Sequence, residues 1–221
     1  AGVGKAGISE YHDQTSKGSS SSTSVLIKLQ DVSSTSSTTR ILEEEWIVCG
    51  QLGGGLRADA IAKHPQHQHL NLVPWAGIAA CVSRSDSHAS MDRSSPSSLP
   101  CSLYPHITGT AYCFLPLPVS TGLPFHVNGY FELSSNRRDI LHGNDLQGVA
   151  SSRAQWNEAL LDEIAAPCLL RLLAAEARRL GKNPDPVQLE GYYSIFPASR
   201  IYMNTAPWNG LVSAFYAGMC D

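Results

Sequence analysis

Residues 110–140 constrain the fold more than any other stretch, because short apolar runs alternate there with turn residues. The first run, residues 111–116, is rich in aromatic side chains and is bounded by proline, which is typical of a short buried strand. Pro116, Pro118 and Gly122 then predict a turn, since proline and glycine are the strongest local breaks of regular structure.

An Asn-Gly pair within the same stretch predicts a tight β-hairpin. Asn128 and Gly129 lie between two apolar runs, and such a pair is the strongest short-range signal for a two-residue turn. The flanking apolar residues are Phe125, Val127, Tyr130, Phe131 and Leu133. A polar loop with two arginines, residues 134–139, follows the second run. The predicted order is therefore strand, turn, strand, tight turn, strand and loop.

The clearest predicted helix lies C-terminal to this stretch. Apolar residues recur at helical spacing over residues 149–183, and a Gly-Lys-Asn-Pro sequence ends the pattern. Pro167 lacks a backbone donor, so we expect a kink or a division into two helices there. We interpret the apolar stripe as a face that packs against a sheet, with a partner-binding groove as the alternative. Residues 207–219 predict a short closing helix.

The N-terminal half predicts strands before the long helix. Apolar residues alternate or cluster over residues 24–32, 40–49 and 71–82, which indicates three strands. Residues 56–64 have helical spacing and stop at Pro65. The chain therefore predicts an α/β (α+β) fold, in which a mixed sheet with a β-hairpin unit packs against one long helix.

Composition shifts predict the domain boundaries. Residues 1–24 are rich in serine and glycine and predict a disordered linker before one folded domain, residues 25–221. Within that domain, the Ser/Asp/Pro-rich residues 83–105 predict a mobile insertion, and residues 151–221 a helical C-terminal part. A formal GxGxxG pattern at residues 2–7 has no strand before it and no helix after it, so it does not predict a dinucleotide site.

Charge and cysteine usage narrow the class of protein. A net charge of −3 and an isoelectric point near 6.2 give no overall positive field, so we expect no nucleic-acid partner. No apolar run approaches the roughly 20 residues of a membrane span. The first twenty residues lack the basic-then-apolar order of a secretory signal. The six cysteines form no CxxC pair. Buried thiols in a reducing, cytoplasmic setting are the expectation, with a disulfide framework as the alternative.

One histidine cluster has the residue types of a metal site. His64, His67 and His69 lie in a Pro/Gln-rich loop without a second ligand pair at a recognisable spacing. A structural zinc site needs four convergent ligands and a catalytic one needs three with an open position. We therefore expect no metal and interpret the cluster as a polar surface loop, with metal binding as the alternative.

The central stretch closely resembles a sequence motif in the repeats of the sacsin family. Members of this family are giant chaperone-like proteins. The matching segments are residues 112–118, 121–124, 126–131 and 133–140. Fainter matches follow in the same order at residues 72–80, 155–157 and 192–197. The resemblance covers roughly residues 25–216.

This resemblance implies a position within a larger machine. Sacsin repeats resemble the ATPase superfamily of gyrase, the ninety-kilodalton heat-shock chaperone and mismatch-repair proteins. In that superfamily an ATP-binding domain precedes a βαβ transducer, or middle, domain, and the hairpin and helix of this chain resemble the transducer. The Asp-x-Gly-x-Gly turn of the ATP-binding part is absent. ATP and Mg are therefore expected only together with an upstream domain, and no catalytic residue is expected in this chain alone.

The same resemblance implies which residues contact nucleotide. A transducer typically extends one cation into the neighbouring nucleotide site, where an arginine finger accelerates phosphoryl transfer by roughly 10³ to 10⁵. Arg137 and Arg138, together with Asn136, are the expected phosphate contacts, because a guanidinium donates bidentately to phosphate oxygens. The alternative is that both arginines are solvated or pair with Asp139.

Two functions remain open at this stage. In the first, the chain is a module of a sacsin-like chaperone or co-chaperone that couples an upstream ATPase domain to client or partner binding in protein folding and quality control. Its implied partners are client proteins and the seventy-kilodalton heat-shock chaperone. In the second, the chain is a passive structural or protein-interaction module of a large scaffold, with no nucleotide chemistry.

Overall fold

The computed structural model describes residues 5–17, 20–34, 38–90, 107–143, 147–198 and 206–220. Seven strands form one mixed sheet in the order β1-β2-β3-β4-β7-β5-β6. All neighbouring strands are antiparallel except β5 and β7, which are parallel. The strands are β1 Lys5–Lys17, β2 Ser20–Ser34, β3 Thr38–Leu52, β4 Trp75–Ser90, β5 Thr110–Cys113, β6 Leu115–Ser120 and β7 His126–Gly129.

The helices include one long element that packs on the sheet. It consists of α2, a π-helical turn and α3 in direct succession, and it ends where Gly181 adopts a positive φ of 75°. The helical segments are α1 Leu56–Lys63, a 3₁₀ turn Pro65–Leu70, α2 Val149–Leu160, the π turn Leu161–Ala165, α3 Ala166–Leu180, α4 Pro186–Ser194 and α5 Trp208–Gly218. The predicted mixed sheet with one long packed helix is confirmed.

The core lies between the long helix and one face of the sheet. Cys49, Ile78, Val127 and Ala111 are register partners across β3, β4, β7 and β5, and all four side chains are buried. Side chains alternate along a strand, so their neighbours in sequence face the other way. We call the face with the four buried residues the inner face and the opposite one the outer face. The helical residues of the same core include Trp156, Leu160, Ile164, Leu169 and Leu172.

Pro167 modifies the long helix without dividing it. The proline lacks an N–H group, and a π turn, Leu161–Ala165, ends two residues before it. Such turns are local widenings of an α-helix and occur often at functional sites. The expected disturbance at Pro167 is therefore present as a widened turn, and the helix continues on both sides.

The π turn supplies the N-terminal cap of α1. No side chain within α1 caps its own N-terminus, but Glu163 Oε2 accepts the backbone N–H groups of Arg57 at 2.8 Å and Ala58 at 3.1 Å. Arg57 also pairs with Asp162 at 2.7 Å. A Cβ atom at Gly55 would lie 2.7 Å from Glu163 Oε2. Glycine is therefore required where the chain enters α1.

The predicted boundaries differ from the structure at two places. Residues 5–17, within the segment predicted to be a disordered linker, form β1, which pairs antiparallel with β2. Backbone hydrogen bonds to β2 do not depend on apolar side chains, so the serine-rich composition misled the prediction. Residues 83–90, predicted to belong to a mobile insertion, extend β4 along β3. Residues 91–105 of that insertion lie outside the described residues.

The predicted hairpin at Asn128-Gly129 is wrong. Both residues lie inside β7, which pairs with β4 on one side and with β5 on the other. Asn128 is needed for its side chain, whose Oδ1 accepts the N–H of Phe114 at 3.1 Å. A Cβ at Gly129 would lie 3.1 Å from side-chain atoms of Leu160 and Phe131, so this glycine allows the helix to approach the sheet closely.

The predicted turn at Pro116, Pro118 and Gly122 is only partly where the sequence places it. Pro116 and Pro118 lie within β6, an edge strand of the sheet, where a missing backbone donor is tolerated. The turn between β5 and β6 is made instead by Phe114, with a φ of 60°. Gly122 does lie in a turn, with a φ of 71°.

Replacing Glu163 with alanine tests its role as the cap of α1. Glu163→Ala removes the acceptor of two backbone N–H groups, so we expect the free energy of unfolding to fall by about 1–2 kcal/mol, as for other lost caps. Urea unfolding measures the change. Glu158→Ala, a glutamate on the same long helix, is the matched control, and equal losses in the two variants would contradict the capping role.

Candidate functional site

The outer face of the sheet carries a groove walled by aromatic side chains, which we call the aromatic groove. Its volume is about 290 Å³. Its floor is formed by small residues of β3 and β4, and its walls by side chains of β4, β5 and β7. The floor consists of Val48, Gly50, Gly77 and Ala79, and the walls of Trp75, Tyr112, His126 and Asn128.

Two glycines create the space that Trp75 occupies. Gly50 and Gly77 are register partners on β3 and β4. A Cβ at Gly77 would lie 3.2 Å from the Trp75 ring, and one at Gly50 would lie 3.6 Å from Trp75 Nε1. The indole therefore lies over positions that have no side chain, and the close contact at Gly77 leaves little room for one.

Phe114 and Tyr130 extend the groove with exposed aromatic surface. Their ring centroids are 4.6 Å apart, and both rings contact Trp75, at 6.2 Å and 6.4 Å respectively. Phe114 is 53% exposed and Tyr130 is 38% exposed. The positive φ of Phe114 is unusual for a bulky residue, and such strained positions concentrate at functional sites. Contiguous exposed apolar surface of this kind marks binding sites.

His126 has a defined tautomer. Its Nδ1 accepts the backbone N–H of Thr110 at 3.0 Å, so the neutral ring carries its proton on Nε2. The ring stacks on Trp46 at 5.3 Å and contacts the edge of Tyr112 at 5.6 Å. Burial lowers the pKa of His126, which keeps the imidazole neutral near physiological pH.

Asn128 lies two residues after His126 on the same strand face. Because its Oδ1 accepts the N–H of Phe114, its amide nitrogen is left as a donor at the groove wall. No lining residue of the groove is charged. The groove can therefore hold apolar groups and donate hydrogen bonds to acceptors. It offers no charged side chain for catalysis.

The predicted phosphate contacts lie in a separate loop, residues 134–139, which we call the arginine loop. A backbone hydrogen bond from Ser134 N to Asp139 O closes it, at 2.8 Å. Asn136 Oδ1 accepts the N–H of Arg138 at 3.0 Å, so this oxygen stabilises the loop itself. Arg137 has a positive φ of 55°, which places the two guanidinium groups on a tight, locally bonded turn.

Both arginines of the loop are exposed. Asp139 uses Oδ1 to accept the N–H of Ile140 at 2.7 Å, and its other oxygen lies 3.9 Å from His142. Within the described part of the chain, neither Arg137 nor Arg138 forms an ion pair. The geometry therefore leaves both guanidinium groups available to an anion.

Comparison with curated proteins decides the family. The chain is 30% identical to human sacsin over 174 residues, which cover 71% of this chain and 3% of sacsin. The chain is a relative of sacsin. The resemblance noted in the sequence is thereby confirmed. No family model matches the chain, and no solved structure matches it.

The sacsin-like segments take part in both surfaces. Residues 126–131 supply His126 and Asn128 to the wall of the aromatic groove and Tyr130 beside it, and residues 133–140 form the arginine loop with its flanks. Residues 72–80 supply Trp75 and the floor residues Gly77 and Ala79. The groove itself is not evident from the sequence, because Asn128-Gly129 has the composition of a turn. The alternation of Trp75, Gly77 and Ala79 along one strand was the signal that could have revealed it.

The sacsin-like triplet Gln155-Trp156-Asn157 anchors both surfaces to the long helix. Trp156 Nε1 donates to Tyr130 O at 2.8 Å. The fully buried Asn157 side chain donates to Glu132 O at 2.7 Å and to Leu141 O at 2.8 Å, and accepts from Glu132 N at 2.9 Å. The triplet was predicted only to open a helix. Its side chains hold the chain on both sides of the arginine loop.

The remaining candidate residues do not converge on a reactive centre. Burial raises the pKa of Cys81 to about 12 and also raises the pKa values of Cys113 and Cys168, which makes these thiols poor nucleophiles. Among the described residues, no group of three potential metal ligands is present. His64 Nδ1 instead accepts the N–H of Gln66 at 3.3 Å. None of the described helices is both long and apolar enough to cross a membrane.

The lowered pKa of His126 predicts a pH dependence of stability. The unfolded chain binds a proton near the usual pKa of about 6.5, whereas the folded chain binds it only at lower pH. We therefore expect the contribution of His126 to be fully present above about pH 6.5 and to be lost as the pH falls through the folded pKa. Urea unfolding over a pH series measures it.

His126→Asn is the matched control for that measurement. The asparagine Oδ1 can occupy the place of Nδ1 and accept the N–H of Thr110, while the titrating ring is removed. Wild type should lose more stability than this variant between about pH 7 and pH 5. Identical pH profiles for the two proteins would contradict the assignment.

The anchoring role of Asn157 predicts a large loss of stability on its removal. Asn157→Ala leaves the N–H of Glu132 and the carbonyl of Leu141 without this partner and removes one of the two hydrogen bonds to the carbonyl of Glu132. We therefore expect a loss of about 2–4 kcal/mol in the free energy of unfolding. Gln155→Ala, two residues away on the exposed side of the helix, should change stability by less than about 0.5 kcal/mol. Chemical denaturation of both variants checks this, and a small effect of Asn157→Ala would refute the anchor.

Proposed function

We propose that this chain is a client- or partner-contacting module of a sacsin-like chaperone, with the aromatic groove as its contact surface. The relation to sacsin suggests a chaperone-related module of a very large protein. The chain spans 3% of human sacsin, so its proposed role is that of one part among many. The implied seventy-kilodalton chaperone partner and the cytoplasmic location remain predictions.

The observation that carries this proposal is the aromatic cluster in which the exposed rings of Phe114 and Tyr130 contact Trp75, beside an uncharged groove. Unfolded clients expose apolar side chains that folded proteins bury. Large, rigid aromatic residues give much contact area at a low cost in side-chain entropy, and tryptophan and tyrosine dominate binding hot spots. The groove therefore suits transient contact with exposed apolar segments.

A finer proposal concerns coupling to an upstream ATPase domain. Arg137 and Arg138 are exposed on a locally bonded turn, which suits contact with the phosphates of a nucleotide held by that domain. The same α2 helix contacts Tyr130 through Trp156 and the flanks of the arginine loop through Asn157. A movement of the arginine loop would thus be transmitted through α2 to Tyr130 beside the aromatic groove. ATP and Mg would be bound by the upstream domain.

The second function, a passive interaction module without nucleotide chemistry, is favoured by a different observation. The aromatic groove is lined by described residues of this chain, whereas the sequence lacks the Asp-x-Gly-x-Gly turn with which an ATP-binding domain would hold nucleotide beside the arginine loop. In that case the groove binds partners, and Arg137 and Arg138 have no effect on ATP turnover by an upstream domain.

Two exposed tyrosines form a matched pair that tests client contact. Tyr130→Ser removes one of the two exposed aromatic side chains that extend the groove beside Trp75. We expect the concentration needed to suppress aggregation of a denatured client to rise about tenfold. Tyr193→Ser removes a tyrosine that is 64% exposed on α4, outside the groove, and should have no effect. Light scattering of the aggregating client is the measurement. Equal behaviour of the two variants would rule out the groove as the contact surface.

The coupling proposal needs a longer protein that includes the upstream domain. There, Arg137→Ala or Arg138→Ala should lower ATP turnover, by up to roughly 10³-fold if the residue acts as an arginine finger. Lys182→Ala removes an exposed cation elsewhere on the surface and is the control. Steady-state phosphate release measures turnover. If turnover is unchanged in both arginine variants, the passive module is the correct function.

A further inference from the structure

We propose that the aromatic groove selects extended segments that contain proline in the polyproline II conformation, and not apolar segments in general. This inference rests on the proposed function, because it names the ligand class of the same groove. The preference for proline follows from the groove wall, where most of the free hydrogen-bonding groups are donors.

Two polar side chains of the groove wall have their acceptors occupied and their donors available, and the Tyr112 hydroxyl beside them can donate or accept. His126 Nδ1 and Asn128 Oδ1 accept the backbone N–H groups of Thr110 and Phe114, at 3.0 Å and 3.1 Å. What remains is the N–H on His126 Nε2, the amide of Asn128 and the indole N–H of Trp75. Within the described part of the structure, none of these three donates a hydrogen bond to another residue.

A groove wall with free hydrogen-bond donors is best matched by a ligand that presents hydrogen-bond acceptors. A polyproline II segment presents backbone carbonyl groups that make no internal hydrogen bonds, and each proline in it lacks an N–H group. The groove can therefore satisfy its carbonyl groups without burying an unpaired amide. An ordinary extended segment would bring several backbone N–H groups to a wall whose one side-chain acceptor left open is the Tyr112 hydroxyl among the described lining residues. Each buried unpaired donor costs about 1–3 kcal/mol.

The shape and charge of the groove agree with this ligand. Proline-rich segments dock in aromatic-lined grooves elsewhere, because their conformation is preformed and little entropy is lost on binding. The glycine floor at Gly50 and Gly77 lies beside Trp75, whose ring can pack against a prolyl ring. The groove has no charged lining residue, so the ligand needs no charge of its own.

Strand addition does not explain the same features. The groove lies on the face of β3, β4 and β7, whose backbone groups already pair with neighbouring strands. The edge strand next to it, β6, carries Pro116 and Pro118, which interrupt its backbone donors. A ligand at this site is therefore held by side chains, as a polyproline II helix is.

The test uses the full chain and two synthetic peptides. One peptide is built from Leu-Pro-Pro repeats over about twelve residues, with a lysine at each end. The other has every proline replaced by alanine. Affinity is measured from tryptophan fluorescence, and the site is mapped by amide chemical shifts. We expect the proline peptide to bind at least about tenfold more tightly, with shifts at Trp75, Tyr112 and Asn128.

A pair of matched substitutions tests the donor wall. Asn128→Asp keeps the oxygen that accepts the N–H of Phe114 but replaces the amide donor with an acceptor, so affinity for the proline peptide should fall about tenfold. Asn136→Asp makes the same change in the arginine loop and should leave affinity unchanged. Unfolding curves of both variants confirm that the fold is retained.

The outcomes separate this inference from the proposed function. Equal affinity for the two peptides, or no effect of Asn128→Asp in a folded protein, overturns the preference for proline while client contact at the groove can still hold. Failure of both peptides to bind, with no effect of Tyr130→Ser on client aggregation, overturns both. Self-association that buries the groove, detected by multi-angle light scattering, would show that a second copy occupies it and also overturns the inference.

Discussion

The buried amide of Asn157 is the interaction that fixes the arginine loop, and with Trp156 beside it the same helix also holds the backbone next to the aromatic groove. It pairs with the N–H and C=O of Glu132 and with the C=O of Leu141, so every polar atom of this fully buried side chain serves the backbone around the arginine loop. Buried polar groups are costly unless satisfied, and a fully satisfied one fixes a single arrangement. Trp156, the preceding residue, fixes the backbone of Tyr130 in the same way.

The aromatic groove depends on two positions that have no side chain as well as on the aromatic residues around them. Gly50 and Gly77 meet across β3 and β4, and the indole of Trp75 covers the space they leave. Hydrogen bonds from Thr110 and Phe114 then orient His126 and Asn128 so that donors face the groove. The shape of the groove and its free donors thus follow from backbone pairing, two glycines and two hydrogen bonds.

Much of the fold could be predicted from sequence periodicity, and the failures have specific physical causes. The long helix, α1 and the strands β2 to β4 were placed by apolar spacing, which reports burial directly. Asn128-Gly129 has the composition of a turn, but Asn128 holds Phe114 and Gly129 makes room for Leu160. These are contacts between residues distant in sequence, so no local pattern distinguishes them from a hairpin. For the same reason β1 was missed, since its pairing with β2 uses the backbone.

The sequence by itself determined the relation to sacsin, the mixed sheet with its long helix, and the exposed pair Arg137 and Arg138. These depend on local composition and spacing, or on similarity along the chain. Only the tertiary structure decided which residues form the aromatic groove and what anchors the arginine loop. Strand register brings Gly50 to Gly77, and helix packing brings Asn157 to Glu132. Such contacts join distant parts of the chain, and their geometry arises only when sheet and helix pack together.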